Sequence, residues 1–170
     1  MKNFRFIRSL IMAVLVIGTM SCAGNKEEPQ LTPTPPPAGD VVKYYKGEVK
    51  IDINAPEPII IQNQVITLTV PADEKKGLSL ELKGVHIDVL GDPFDISISD
   101  VPYITPEWGT YNVSFVGDKK ILFAGFDAYV KKITGTITNL KLPLEVKVIA
   151  GEALGKIPVT ISINADNYIP

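Results

Sequence analysis

From Tyr45 onward the apolar positions recur with a period of two rather than 3.6. Tyr45, Gly47, Val49, Ile51 and Ile53 are separated by Lys46, Glu48, Lys50 and Asp52, the pattern of a strand with one buried and one wet face. The same beat returns in Ile66/Leu68/Val70, Leu78/Leu80/Leu82, Val85/Ile87/Val89, Phe94/Ile96/Ile98 and Tyr111/Val113/Phe115. It continues in Ile121/Phe123, Ile133/Gly135/Ile137, Leu144/Val146/Val148 and Ile157/Val159/Ile161/Ile163. Turn-forming residues divide the runs: ADEKKG at 72–77, Gly91-Asp92-Pro93, Gly117-Asp118-Lys119 and Gly151. Beyond the first 21 residues nothing carries a helical apolar stripe.

About ten short strands with one apolar face each must close on themselves or pair face to face. The pattern therefore predicts an all-β protein, an antiparallel up-and-down barrel, with a β-sandwich as the alternative. Val49, Ile51, Leu80, Ile96, Val113, Phe115, Phe123 and Ile161 are the expected inward positions, lining a ligand cavity or filling the interior. A transmembrane barrel fits poorly, because the strands read as short and form no aromatic girdles. At Gly84 the apolar positions switch from even (Leu82) to odd (Val85). One extra residue at a glycine is how a strand bulges, so 78–90 is expected to be one strand bent at Gly84, the alternative being two strands with a very tight corner at Lys83-Gly84.

The first 40 residues follow different rules. Lys2, Arg5 and Arg8 precede an uncharged apolar run, Leu10 to Ile17, and then Gly18, Thr19 and Ser21. This is the layout of a signal peptide over 1–21, and the run is too short for the roughly 20 residues of a spanning helix. Thr19-Met20-Ser21-Cys22 resembles a bacterial lipobox, which implies acylation of Cys22 and anchoring in a membrane. Ala23 follows the cysteine, which points to the outer membrane, and Lys26-Glu27-Glu28 resembles an acidic surface-export signal. Residues 22–40 complete an anchor and a proline-rich tether, with five of the 14 prolines between Pro29 and Pro37. At about 3.1 Å per residue in polyproline II, such a tether reaches on the order of 50 Å. Residues 41–170 form the folded domain.

Charge and composition narrow the function. Removing the three leader cations takes the chain from a net −2 to about −5, and leaves no arginine. That is the wrong balance for a nucleic-acid partner. One His and one Cys do not make a zinc site, and neither a metal nor another cofactor is expected. His86, between Val85 and Ile87, should point away from the core, and no Gly-x-Ser-x-Gly turn accompanies it; no catalytic residue is assigned. Asp92, Asp95 and Asp100 offer oxygen ligands for Ca²⁺, but not at EF-hand spacing, and turn chemistry accounts for Asp92. Val101 to Tyr111 places Tyr103, Trp108 and Tyr111 beside two prolines outside the regular alternation. Such a loop would make a sugar-stacking shelf or a lid, or else Tyr103 and Trp108 plug the core.

Tyr45-Lys46-Gly47, Leu142-Pro143-Leu144 and the closing run Gly155 to Ile163 resemble the calycin-like β-barrel lipoproteins of gut bacteria, whose first strand opens on Tyr-x-Gly. The lipocalin Gly-x-Trp opening is absent, since Glu48-Val49 follows Gly47 and the single tryptophan is Trp108. The resemblance implies a barrel related in architecture to lipocalins and fatty-acid-binding proteins, holding a small apolar molecule. The expected function is thus non-enzymatic binding of a small apolar ligand or lipid by an outer-membrane lipoprotein, with Cys22 its link to the membrane and no protein partner specified. The alternative is a cell-surface glycan-binding or adhesion module with an immunoglobulin-like sandwich.

Overall fold

A computed structural model describes residues 39–73, 75–87 and 91–170, all within the unit Pro35–Pro170. The expected leader over 1–21, Cys22, the expected tether through residue 38 and the far end of the expected strand 78–90 lie outside the described residues. The strands are β1 (Val41–Asp52), β2 (Ile59–Val70), β3 (Leu78–Val85), β4 (Phe94–Val101) and β5 (Tyr103–Glu107). They continue as β6 (Thr110–Phe123), β7 (Phe126–Ile137), β8 (Lys141–Ala150) and β9 (Pro158–Tyr168). A single 3₁₀ turn, Glu152–Leu154, interrupts the β8–β9 connection.

All nine strands belong to one antiparallel sheet in the order β4-β3-β2-β1-β9-β8-β7-β6-β5. The chain ends meet in the middle, where β1 pairs with β9 from Tyr44↔Tyr168 to Asp52↔Thr160. The two sheet edges, β4 and β5, are consecutive in the chain and joined only through Pro102. They therefore behave as one bent strand, the first half pairing back on β3 and the second forward on β6. Proline has no N–H to give to a ladder and is tolerated at such an interruption. The result is a nearly closed up-and-down barrel. It is not a sandwich, because a single sheet curls round to cover its own apolar face.

Closure leaves a seam. Among the described residues no ladder joins β4 to the distal half of β6. Lys119 Nζ bridges the gap instead, donating to Ser99 O at 2.6 Å and Asp100 O at 3.2 Å. Lower down, Phe94 meets Phe123 edge-on at 5.2 Å between ring centroids.

The inward face is a continuous core. Val49, Ile51, Leu80, Ile96, Val113, Phe123 and Ile161 are buried as expected. Phe115 departs from the expectation: it is only half-buried and packs against the core from the seam. Its ring lies over Gly117, close to where a Cβ would stand, and the missing β4–β6 ladder leaves that side open. The outward face carries Lys50, Lys120, Asp127 and Lys147. An apolar interior and a charged exterior are the reverse of a barrel that spans a bilayer.

Parity switches explain the strand lengths. Gly84 is a bulge, as expected: its φ is +62°, the pairing of β3 with β4 shifts between Leu82 and Val85, and Asp95 Oδ1 accepts its N–H at 2.8 Å. Strand β3 ends at Val85, one residue later, so the expected continuation as a strand to residue 90 is not seen at His86 and Ile87. Asn63 in β2 (φ 61°) and Asp100 in β4 (φ 50°) sit at two more register shifts, and both residue types tolerate that backbone region. Gly117-Asp118, expected as a turn, is an irregularity inside the 14-residue strand β6. It faces another in β7 between Val130 and Lys132, and Lys131 pairs with Asp118 across the two. An extra residue in each of two neighbouring strands bends the sheet without ending it.

Candidate functional site: two unlike barrel ends

Up-and-down connections gather the strand termini at two ends, and the ends differ in chemistry. At one end stand the start of β1, the start of β6 and the β7–β8 turn. Tyr45 is fully buried and donates from its hydroxyl to Thr138 O at 2.7 Å. Lys43 Nζ donates to Tyr111 Oη at 3.2 Å and to Asn139 Oδ1, and stands 4.7 Å from the Tyr111 ring centroid. Tyr103 meets Tyr111 edge-on at 5.7 Å. The turn beneath is itself braced, since the Thr138 hydroxyl accepts from the N–H groups of Leu140 and Lys141, and Asn167 N–H donates to Leu140 O.

Burial sets the electrostatics of this tyrosine end. Loss of water pushes the Tyr45 phenol up to about 12, with the neighbouring Tyr111 adding to the rise. Tyr111 is raised and Lys43 lowered, in both cases because burial disfavours the charged form. The end is a seal of phenols and one ammonium whose polar atoms are paired.

The three aromatics expected on one loop are placed differently. Residues 103–107 and 110 onward are strands β5 and β6, so the segment is a hairpin rather than a loop. Alternation sends Tyr111 into the core, leaves Tyr103 half-buried, and puts Trp108 at the turn with 59% of its surface exposed. Trp108 is not a plug, and it does not share a flat shelf with the buried Tyr111. The seal is made by Tyr45 and Tyr111, with Tyr103 against them.

Among the described residues the opposite end has no such polar lining. Ile53, Ile59, Ile87, Phe123, Ala150, Leu154, Ile157 and Val159 surround a recess of about 100 Å³. The strand ends supply most of the wall, and the β8–β9 connection supplies Leu154 and Ile157. Backbone bonds hold that connection in place: Gly151 N–H donates to Asp127 O at 2.7 Å, and Ala150 N–H to Ile157 O at 2.9 Å. A Cβ at Gly151 would stand 2.3 Å from Asp127 O, so only glycine permits so close an approach.

Of the eight interior candidates, Phe123 alone lines this recess; the other buried candidates fill the barrel away from it. Phe115 instead lines a separate cleft of about 540 Å³ at the seam, with Lys75, Asp100, Tyr103 and Lys119 among its other walls. Ile53, Ile87, Ile157 and Val159 carry the expected alternation, which does not distinguish them from other inward residues. Leu154 lies in a connection where alternation says nothing. His86 is exposed beside the recess residue Ile87. Asp95 serves the Gly84 bulge, and among the described residues no group of three or more His, Cys, Asp or Glu side chains is placed to hold a metal ion.

Together these features define a small antiparallel β-barrel, sealed by tyrosines at one end and apolar at the other. No family model, curated protein or solved structure matches the chain.

Proposed function

We propose that this chain is a non-catalytic lipoprotein, held at the outer membrane by acylated Cys22, whose calycin-like barrel takes up the apolar end of a small ligand or lipid. The observation that carries the reading is the recess among Ile53, Ile87, Phe123 and Leu154, whose lining among the described residues is apolar throughout. At about 100 Å³ it is smaller than the roughly 150 Å³ apolar cavity that suffices for benzene. It suits a chain terminus or a branched methyl group, with the rest of the ligand at the mouth. Each methylene buried there contributes about 0.8 kcal/mol, so contacts at the mouth supply the remainder of the affinity. The basic leader, short apolar run and Cys22 support the membrane attachment.

The reading is tested by titrating the protein with n-alkanols of increasing length, using displacement of a fluorescent apolar dye. Leu154→Trp fills the recess and should weaken alkanol binding about tenfold, equivalent to roughly 1.4 kcal/mol. Trp108→Ala, at the other end, should leave it unchanged. Equal binding by wild type and Leu154→Trp would refute the recess as the site. In cells, label from radioactive palmitate should be lost in Cys22→Ala; its persistence would refute the anchor.

A further inference from the structure

The outer wall of the barrel carries a second concavity, on β7 and the start of the β8–β9 connection. Ala128 and Val130 face inward and are fully buried, so Asp127 and Tyr129 face out. Tyr129 is paired with Ile149 of β8 on one side and Lys120 of β6 on the other. The bond from Gly151 N–H to Asp127 O draws the β8–β9 connection onto β7. A groove of about 750 Å³ results, with Phe126, Asp127, Tyr129, Lys131, Glu152 and Lys156 in its walls. Small-ligand sites span about 300–1,000 Å³.

The chemistry of those walls selects among ligands. Phe126 and Tyr129 keep 41% and 38% of their surfaces exposed, two aromatic rings beside one groove, with Lys131 Nζ 5.9 Å from the Tyr129 ring centroid. The charges around them are already matched: Asp127 with Lys120 at 2.8 Å, Glu152 with Lys156 at 3.0 Å, and Lys131 with Asp118. A charged ligand would have to compete with an existing partner. An aliphatic ligand would bury ion pairs under hydrocarbon, which is costly. A neutral polyol avoids both penalties, since its C–H faces lie on aromatic rings and its hydroxyls bond to carboxylates and ammonium groups alike. We propose that this groove binds a neutral oligosaccharide. The groove and the apolar recess share only the buried Ala150 among the described lining residues. The 3₁₀ turn divides them, with Glu152 and Ala153 on the groove side and Leu154 on the recess side.

The test is a glycan array probed with the full chain, followed by calorimetry with a neutral hexasaccharide that the array retains. Neutral glycans should be retained in preference to acidic ones. Tyr129→Ala and Phe126→Ala should each weaken binding about tenfold, as loss of a central aromatic anchor does, with unchanged melting curves. Tyr129→Phe, which keeps the ring, should still bind, and Leu154→Trp should bind as wild type does. Retention of no neutral glycan, or of acidic glycans only, would overturn the proposal. So would undiminished binding by both alanine variants. Self-association of the chain that Phe126→Ala abolishes would also overturn it, by making the groove an interface between copies.

Discussion

The two ends of this barrel are built from the same strands and closed by opposite means. At the tyrosine end, side chains close the barrel: Tyr45, Tyr111 and Lys43 enter from β1 and β6, and each polar atom named finds a partner. Among the described residues no buried side-chain nitrogen or oxygen lacks a hydrogen bond. At the apolar end the closure is backbone, a connection laid across the strand termini and held through Gly151. Polar side chains need geometric partners and so fill an end completely. A loop carrying Leu154 and Ile157 makes contact only where its few side chains reach, and a recess remains. The open space at the apolar end thus follows from how that end is finished.

The apolar closure is most vulnerable at Gly151. In Gly151→Ala the new methyl group meets a backbone oxygen, which cannot swing aside as a side chain would. The β8–β9 connection must lift from β7, at a cost of about 1–3 kcal/mol, typical of an overpacked site. Urea unfolding should show the loss, and dye uptake at the apolar end should rise because the recess widens. An unchanged midpoint would mean that this backbone contact does not hold the end closed.

Tyr45→Phe attacks the other closure more gently. It keeps the ring and deletes the hydroxyl, stranding Thr138 O, which costs about 1 kcal/mol at neutral pH. Its clearer signature is in alkali. The folded phenol titrates near 12 against an ordinary value of 10.0. Its contribution is therefore fully present below about pH 10, and is lost as pH rises from there through 12. Lys43 has the opposite sign: burial lowers its pKa, so its penalty on folding fades as pH climbs toward the ordinary lysine range. Wild-type stability should fall above about pH 10, and the fall should be shallower in Tyr45→Phe. Parallel curves for the two proteins would remove Tyr45 as the titrating group.

How much of this could be read from the chain depends on what alternation encodes. Period two tells inward from outward, and it identified the buried members of the interior set, from Val49 on β1 to Ile161 on β9. It says nothing about height along the barrel axis, and a recess at one end is defined by height. Ile53, Ile87 and Val159 are inward like Val49, but they stand at strand ends that only closure brings together. Bulges were legible where they fell inside a recognised run, as at Gly84. Elsewhere the same parity switch looks like the end of a strand. Buried Ile98 is followed by buried Val101, and buried Val130 by buried Ile133, each with one residue too many between them. In a sequence that extra residue breaks the beat, and only pairing with a neighbour shows that the strand goes on. The hairpin carrying Trp108 was hidden for a related reason: β5 has just five residues and a single proline separates it from β4, too little for periodicity to register.

Trp108 offers the gentlest test of the difference between the ends, because it is the single tryptophan and marks the tyrosine end from outside. With 59% of its surface in water it contributes little packing, and Trp108→Ala should change stability by no more than about 0.5 kcal/mol. Its emission in the wild-type protein should be that of a solvated indole and be quenched readily by iodide. Ligand entering the recess touches Phe123 and Leu154, side chains at the opposite end, so saturation with an alkanol should leave both the emission maximum and the quenching constant unchanged. A blue shift on saturation would place the ligand near the β5–β6 hairpin and reverse the roles of the two ends. A silent Trp108, combined with loss of binding in Leu154→Trp, would confine uptake to the end that backbone alone closes.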